Sequence, residues 1–297
     1  MANHDQNFKN LILDYLRAAL EFFARAEVGH FPPDAVFTPL NQERLKEWMG
    51  ARGMEQDVVV KVEFPDGTRE MLVFCIEHNT RESKEVLKRQ AMYCIRASID
   101  FKTDRIVPVA IFPEETGPVK EQFKLAGDHG VYMDFKCITV KLKELEAHRF
   151  MASRNVVARM CLPFMKFEAK AKFKTYASAY QGLKDLEQDQ DKRRKYFGFL
   201  QQYVELKGEE HEAFSEEHVK RSSFKEDYMS TYEYAVSQGK KEGLAEGMEK
   251  TAKAIVDMCS RGTIDSGKAR REIKRLAKIG DITHEIADKA IARIQSK

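Results

Sequence analysis

The chain has 297 residues, 43% of them hydrophobic, enough for one sizeable core and a second, smaller part. Its 50 Lys and Arg stand against 47 Asp and Glu, a formal charge of +3 that excludes a global polycation, so any contact with nucleic acid has to be local. The opening MANHDQNFKN is polar, no run of about 18 apolar residues occurs, and the five cysteines form neither a C-x-x-C pair nor a Cys/His cluster. The expectation is a cytoplasmic protein with no membrane span, no disulfide and no structural zinc.

In chain order, NHDQNFKNLILDYLRAALEFFARAE has apolar residues at Phe8, Leu11, Ile12, Tyr15, Leu16, Ala19, Phe22 and Phe23, the spacing of a one-faced helix. Asn3 can cap it, which puts Asp5 in its first turn. A Pro-containing connection, GHFPPDAVFTPLNQ, and a short amphipathic piece, ERLKEWMGARG, lead to two apolar strands within QDVVVKVEFPDGTREMLVFCIEHNT. TRESKEVLKRQAMYCIRAS reads as a second helix with Val86, Leu87, Met92, Tyr93 and Ile95 inward. RIVPVAIFP reads as a strand, GPVKEQFKLAGDHG as a short helix or loop, and VYMDFKCITV as a further strand. This order describes an α/β domain over 1–140.

Helical periods dominate the remainder: a helical region over 141–236, a charged Gly-repeat helix or linker over 237–250, and a basic helical bundle over 251–297. The bundle segment carries 11 Lys and Arg against 6 Asp and Glu, which makes it the better local candidate for nucleic acid. KFEAKAKFK and DKRRKYFGF mix basic and aromatic residues, but each reads more simply as a solvated helix face. GTIDSGK has the wrong spacing for a phosphate-binding loop and is expected as a turn between helices.

The strand pair raises a chemical question, because Asp57 opens the first strand and Glu77 and Asn79 close the second. PDGT suits a three-residue loop, with Gly67 left-handed at its end, which pairs Phe64 with Thr68 and sets Asp57 across from Cys75. Alternation then puts Asp57, Cys75, Glu77 and Asn79 on one face, the two acids about 7–8 Å apart. Carboxylates so placed can share one hard divalent cation. A two-residue Asp66-Gly67 loop would instead shift the register and send Asp57 to the other face. Acids solvated at the ends of strands account for the same spacing, and on spacing alone that plainer reading is preferred.

An acid on a leading helix, an Asp at a strand start, an E-x-(K/Q/N) end to the hairpin and a following helix resemble the PD-(D/E)XK nucleases. HDQNFKNLILDYL, QDVVVKVEFPDG, MLVFCIEHNT and RQAMYCIRA before RIVPVAIFP, with GKKEGLAEGMEK near the C-terminus, look like the Rpn (recombination-promoting nuclease) or YhgA-like transposase family. The resemblance implies a PD-(D/E)XK-like mixed sheet flanked by helices, followed by an all-helical C-terminal region. It implies a DNA endonuclease, dependent on Mg²⁺ or another divalent cation such as Mn²⁺ or Ca²⁺, acting in recombination or mobile-DNA defence. Asp57 and Glu77, with the backbone carbonyl of His78, are then the metal ligands, and Asp5 an outer ligand or a group orienting metal-bound water. Asn79 takes the place usually held by Lys or Gln; its amide can hydrogen-bond an attacking water but carries no positive charge. Arg89 and Tyr93 match helix positions that contact phosphate or fix the carboxylates, and Gln90 shares that helix. Two rival readings remain: a catalytically silent module that binds nucleic acid or protein, favoured by Asn79, and an interaction protein whose helices build a homo-oligomer.

Overall fold

The computed structural model describes residues 4–29, 31–40, 58–67, 69–76, 83–114, 117–279 and 281–295. Asn3 and the ERLKEWMGARG piece lie outside them. The leading helix forms in three parts rather than one: α1 (His4–Asp14), α2 (Leu16–Phe23) and α3 (Arg25–Val28). The breaks fall at Tyr15 (φ −127°, ψ 46°) and Ala24 (φ −128°, ψ 38°). Each break resets the helical phase, so Leu20, outside the expected stripe, is buried beside Phe8, Leu11, Ile12, Ala19 and Phe23, while Tyr15, Leu16 and Phe22 are only half-buried.

The Pro-containing connection holds a strand, β1 (Val36–Pro39), antiparallel to β2 (Val58–Glu63) with Val36 opposite Glu63. Its Pro39 is tolerated because the strand lies at the sheet edge. β2 is antiparallel to β3 (Arg69–Ile76); α4 (Ser83–Phe101) then crosses to β4 (Ile106–Phe112), parallel to β3. Gln122–Gly127, expected as helix or loop, is strand β5, in a two-stranded sheet with β6 (Gly130–Lys136). The expected VYMDFKCITV strand is therefore divided, and β7 (Ile138–Lys141) returns to pair with β4. The main sheet has the order β1-β2-β3-β4-β7, antiparallel on one side and parallel on the other. In α4 the buried stripe is Val86, Leu87, Gln90, Ala91, Tyr93, Cys94 and Ala97; Met92 and Ile95, expected inward, are more than half exposed or close to it, at 56% and 50%.

Among the described residues no strand follows Lys141. α5 (Val156–Met160), α6 (Lys172–Leu186), α7 (Gln190–Tyr203) and α8 (Glu210–Phe214) join the leading helices and the sheet in one compact unit over Met1–Tyr228. Phe8 packs edge-on against Phe164 (centroids 5.0 Å) and Phe199 (5.8 Å), and Asn155 Nδ2 donates to Ala18 O at 2.7 Å while its Oδ1 caps α5. The aromatic residues of DKRRKYFGF, Tyr196, Phe197 and Phe199, are buried, and its Lys195 and Arg193 pair with Asp14 and Asp227.

The second compact unit is Met229–Lys297. It contains most of α9 (Lys225–Ser260), then α10 (Ser266–Ile279) and α11 (His284–Gln295), packed around Ile255, Ile273, Leu276, Ile282 and Ile294. GTIDSGK spans the turn between α9 and α10 and the first three residues of α10: Gly262 takes φ +72°, and Asp265 Oδ1 accepts from Lys268 N at 2.9 Å to cap α10. Gly243 and Gly247 lie on exposed turns of α9 with open space around them. No described helix is long and apolar enough to cross a membrane.

Candidate functional site

The hairpin loop decides the register question. Gly67 N donates to Phe64 O at 2.9 Å and Gly67 takes φ +81°, the left-handed end of a three-residue loop. The pairs run from Glu63↔Arg69 to Val58↔Phe74 without a shift. This is the register expected of the three-residue loop, and the two-residue alternative does not form.

β3, β4 and β7 run parallel, with Ile76 opposite Ile111 and Phe112 opposite Lys141. Their carboxyl ends lie at one edge, where β2 begins. In sheets of this kind the carboxyl edge of parallel strands is where loops and helix termini gather around ligands. Asp57, Glu77, His78 and Asn79, the central expected residues, lie outside the described residues. Asp5 sits in the first turn of α1. Arg89, Gln90 and Tyr93 are on α4. Tyr93 is fully buried and packs with Val59 of β2 and Cys94. Gln90 is also fully buried, and its Nε2 donates to Val109 O of β4 at 2.7 Å. Arg89 is half-buried. The helix is thus tied to β2 by packing and to β4 by a buried hydrogen bond. Among the described residues no three His, Cys, Asp or Glu side chains gather as a metal-binding group.

Beyond β4 and β7 opens a cleft of about 480 Å³ lined by Glu114, Lys143, Lys166, Lys172, Tyr176 and Tyr203 among others. Its rim meets α1 through Asn7, whose Nδ2 donates to Gln202 Oε1 at 2.8 Å and to Tyr203 OH at 3.3 Å. Two of its lysines are neutralised: Lys172 Nζ bonds both oxygens of Glu210 at 2.8 and 2.7 Å, and Lys166 reaches Glu146 at 3.0 Å. These hydrogen bonds hold the Glu210 and Glu146 carboxyls below the usual range. Lys143 makes no ion pair among the described residues. Burial pushes the Tyr203 phenol up, so it stays protonated and can donate. The chain matches no family model, no curated protein and no solved structure.

Lys143 escaped the sequence reading. In VKLKELEAH it is one lysine of two, and only the turn after β7, which buries Leu142, separates it from Lys141, whose ammonium pairs with Glu144. The aromatic wall of the cleft was equally hidden, since Phe164, Tyr176 and Tyr203 come from three separate helical segments.

Proposed function

We propose that the protein is a metal-dependent DNA endonuclease of the Rpn or YhgA-like transposase type. The observation that supports this most directly is the hairpin register: Asp57 directly precedes Val58 and Glu77 directly follows Ile76, so both acids adjoin one end of the hairpin. Were the pairing to continue by one step, Asp57 would stand across from Cys75 and share with Glu77 the face of Val59, the face that Tyr93 covers. The sheet order, with an antiparallel hairpin feeding a helix and a parallel strand, also agrees with a PD-(D/E)XK-like core.

The donor set is all oxygen, two carboxylates with the carbonyl of His78, and suits a hard cation such as Mg²⁺. When bound, such a cation supplies Lewis-acid stabilisation of phosphate charge and lowers the pKa of water. The chain's own groups do the rest. Asn79 offers an amide to orient the attacking water, and Asp5 can accept from it. Arg89 would contact the scissile phosphate, while Gln90 and Tyr93 hold α4 in place from their buried positions. Lys143 contributes a cation to the strand leading away through the cleft.

The test is cleavage of supercoiled plasmid with Mg²⁺, Mn²⁺, Ca²⁺ or EDTA, with Asp57→Ala beside the parent. Metal-dependent nicking lost in a variant that melts no lower than the parent is the expected result, because removing one of two neighbouring carboxylates relieves repulsion in the metal-free fold. A folded parent that leaves the plasmid intact overturns the proposal and favours the silent binding module, for which Asn79 is the residue in evidence.

A further inference from the structure

The bundle segment's charge is not spread over its helices. Of its 11 basic residues, Lys268, Arg270, Arg271, Lys274, Arg275 and Lys278 lie on α10, whose one acid is Glu272; the other 5 basic residues stand against 5 acids. The whole excess therefore belongs to a single helix of 14 residues.

Helical geometry concentrates it further. At about 100° per residue, Lys268, Arg271, Lys274, Arg275 and Lys278 fall within an arc of about 120° and a length of about 15 Å. All five are exposed. Ala269, Ile273 and Leu276 occupy the other side and are buried in the bundle core. Three of the five cations, Arg271, Lys274 and Lys278, make no ion pair among the described residues. Arg275 holds Glu272 at 2.6 Å, and Lys268 is 3.9 Å from Asp265, whose other oxygen is occupied in capping the helix. By contrast α11 offsets Lys289 with Glu285 at 2.6 Å, and the neighbouring stretch of α9 offsets Lys250 with Glu246 at 2.8 Å.

We infer that this face of α10 binds the phosphate backbone of nucleic acid. Five cations along about 15 Å present charge at a density that one turn of duplex can match, since duplex DNA carries about one charge per 1.7 Å of axis. A lipid surface fits the helix poorly: an interfacial helix must bury its apolar face in the bilayer, and the apolar face of α10 is already enclosed by α9 and α11. The contacts would be to phosphates only and hence without sequence preference. The inference does not depend on cleavage by the sheet-rim acids.

The experiment measures binding of the full chain to a fluorescein-labelled 30-base-pair duplex by anisotropy in EDTA, which removes cleavage from the readout. For about five phosphate contacts, log K falls with log salt at a slope of about −4 to −5, so affinity drops several hundred-fold between about 50 and 200 mM salt. The triple variant Arg271→Gln/Lys274→Gln/Lys278→Gln keeps good helix formers at exposed positions, and circular dichroism checks that it folds. It should reduce the slope by about 3 and bind at least tenfold more weakly at 100 mM salt. Lys289→Gln/Arg293→Gln on α11 should bind as the parent does. A folded triple variant with unchanged affinity and slope overturns the inference, as does binding to phosphatidylserine vesicles without binding to the duplex. Binding that persists in a protein unable to nick plasmid keeps this inference and removes the nuclease reading alone.

Discussion

Asp14 closes the gap between the leading helices and α7: its Oδ2 accepts from Lys195 Nζ at 2.6 Å and from Tyr196 OH at 2.7 Å. Burial raises its pKa, but the hydrogen bonds from Lys195 and Tyr196 outweigh that and leave it below the ordinary 3.8. Asp14→Ala should cost about 2 kcal/mol at neutral pH, the scale for hydrogen bonds to a charged group. A folded-state pKa that is depressed gives stability present above the unfolded value and lost as pH falls through the folded one. Denaturant titrations should therefore show parent and variant converging below about pH 4; a gap constant from neutral pH to acid would mean that packing, not charge, carries the effect. Gly182 makes a steric demand of another kind. A Cβ there would lie 2.7 Å from Arg159 Cγ, and Arg159, only 9% exposed, is held by two bonds from its guanidinium to Ser178 O. Gly182→Ala should thus destabilise by about 1–3 kcal/mol, read as a lower melting temperature. Neither role was legible in the sequence, because Asp14 meets its partners across some 180 residues and Arg159 looks like any helical arginine.

Elements whose cause is local were the legible ones. PDGT specifies a loop from four adjacent residues, and the strand register follows from it pair by pair. Gly67→Ala should confirm the dependence: with φ +81° and nothing within 4 Å of a Cβ, the penalty is backbone strain alone, about 1 kcal/mol, and Gly67→Asn should recover part of it. An unchanged denaturation midpoint in Gly67→Ala would show that the loop tolerates another turn type. Elements that depend on partners were missed. β1 carries a proline and prolines precede it, so its strand character comes from β2 and not from its own residues. β5 reads as a loop because QFKLAG alternates weakly; it is a strand through pairing with β6, at which Leu125 and Tyr132 remain exposed. The stripe on α4 was misassigned for a related reason. Two apolar stripes run along that helix, and the fold buries the one that carries Leu87, Tyr93 and Ala97, leaving Met92, Ile95 and Ile99 exposed. For the candidate site this means that the hairpin register could be read in advance, whereas the cleft, built from the turns after β4 and β7 and three helical segments, could not.

Across the whole molecule the near-neutral charge conceals a division. With α10 set aside, 44 basic residues stand against 46 acidic ones, so the net positive charge of the chain resides in one helix of the second unit. That unit has its own apolar core, centred on Ile273, which is fully buried, with Ala269, Leu276 and Ile294 around it. Stability of a compact unit with its own core is set by that core, and local opening free energies differ between such units. Ile273→Ala removes three buried carbons' worth of contact and should cost about 2–4 kcal/mol. Hydrogen exchange followed by mass spectrometry should place that loss in amides of residues 252–294, with protection in β2, β3 and β4 unchanged. The same variant should weaken duplex binding in EDTA by loosening α10, even though Ile273 faces away from the phosphates. Loss of protection spreading equally into the sheet would show instead that the two units unfold as one, and the binding defect would then report global instability rather than the platform that the bundle core provides for the basic face.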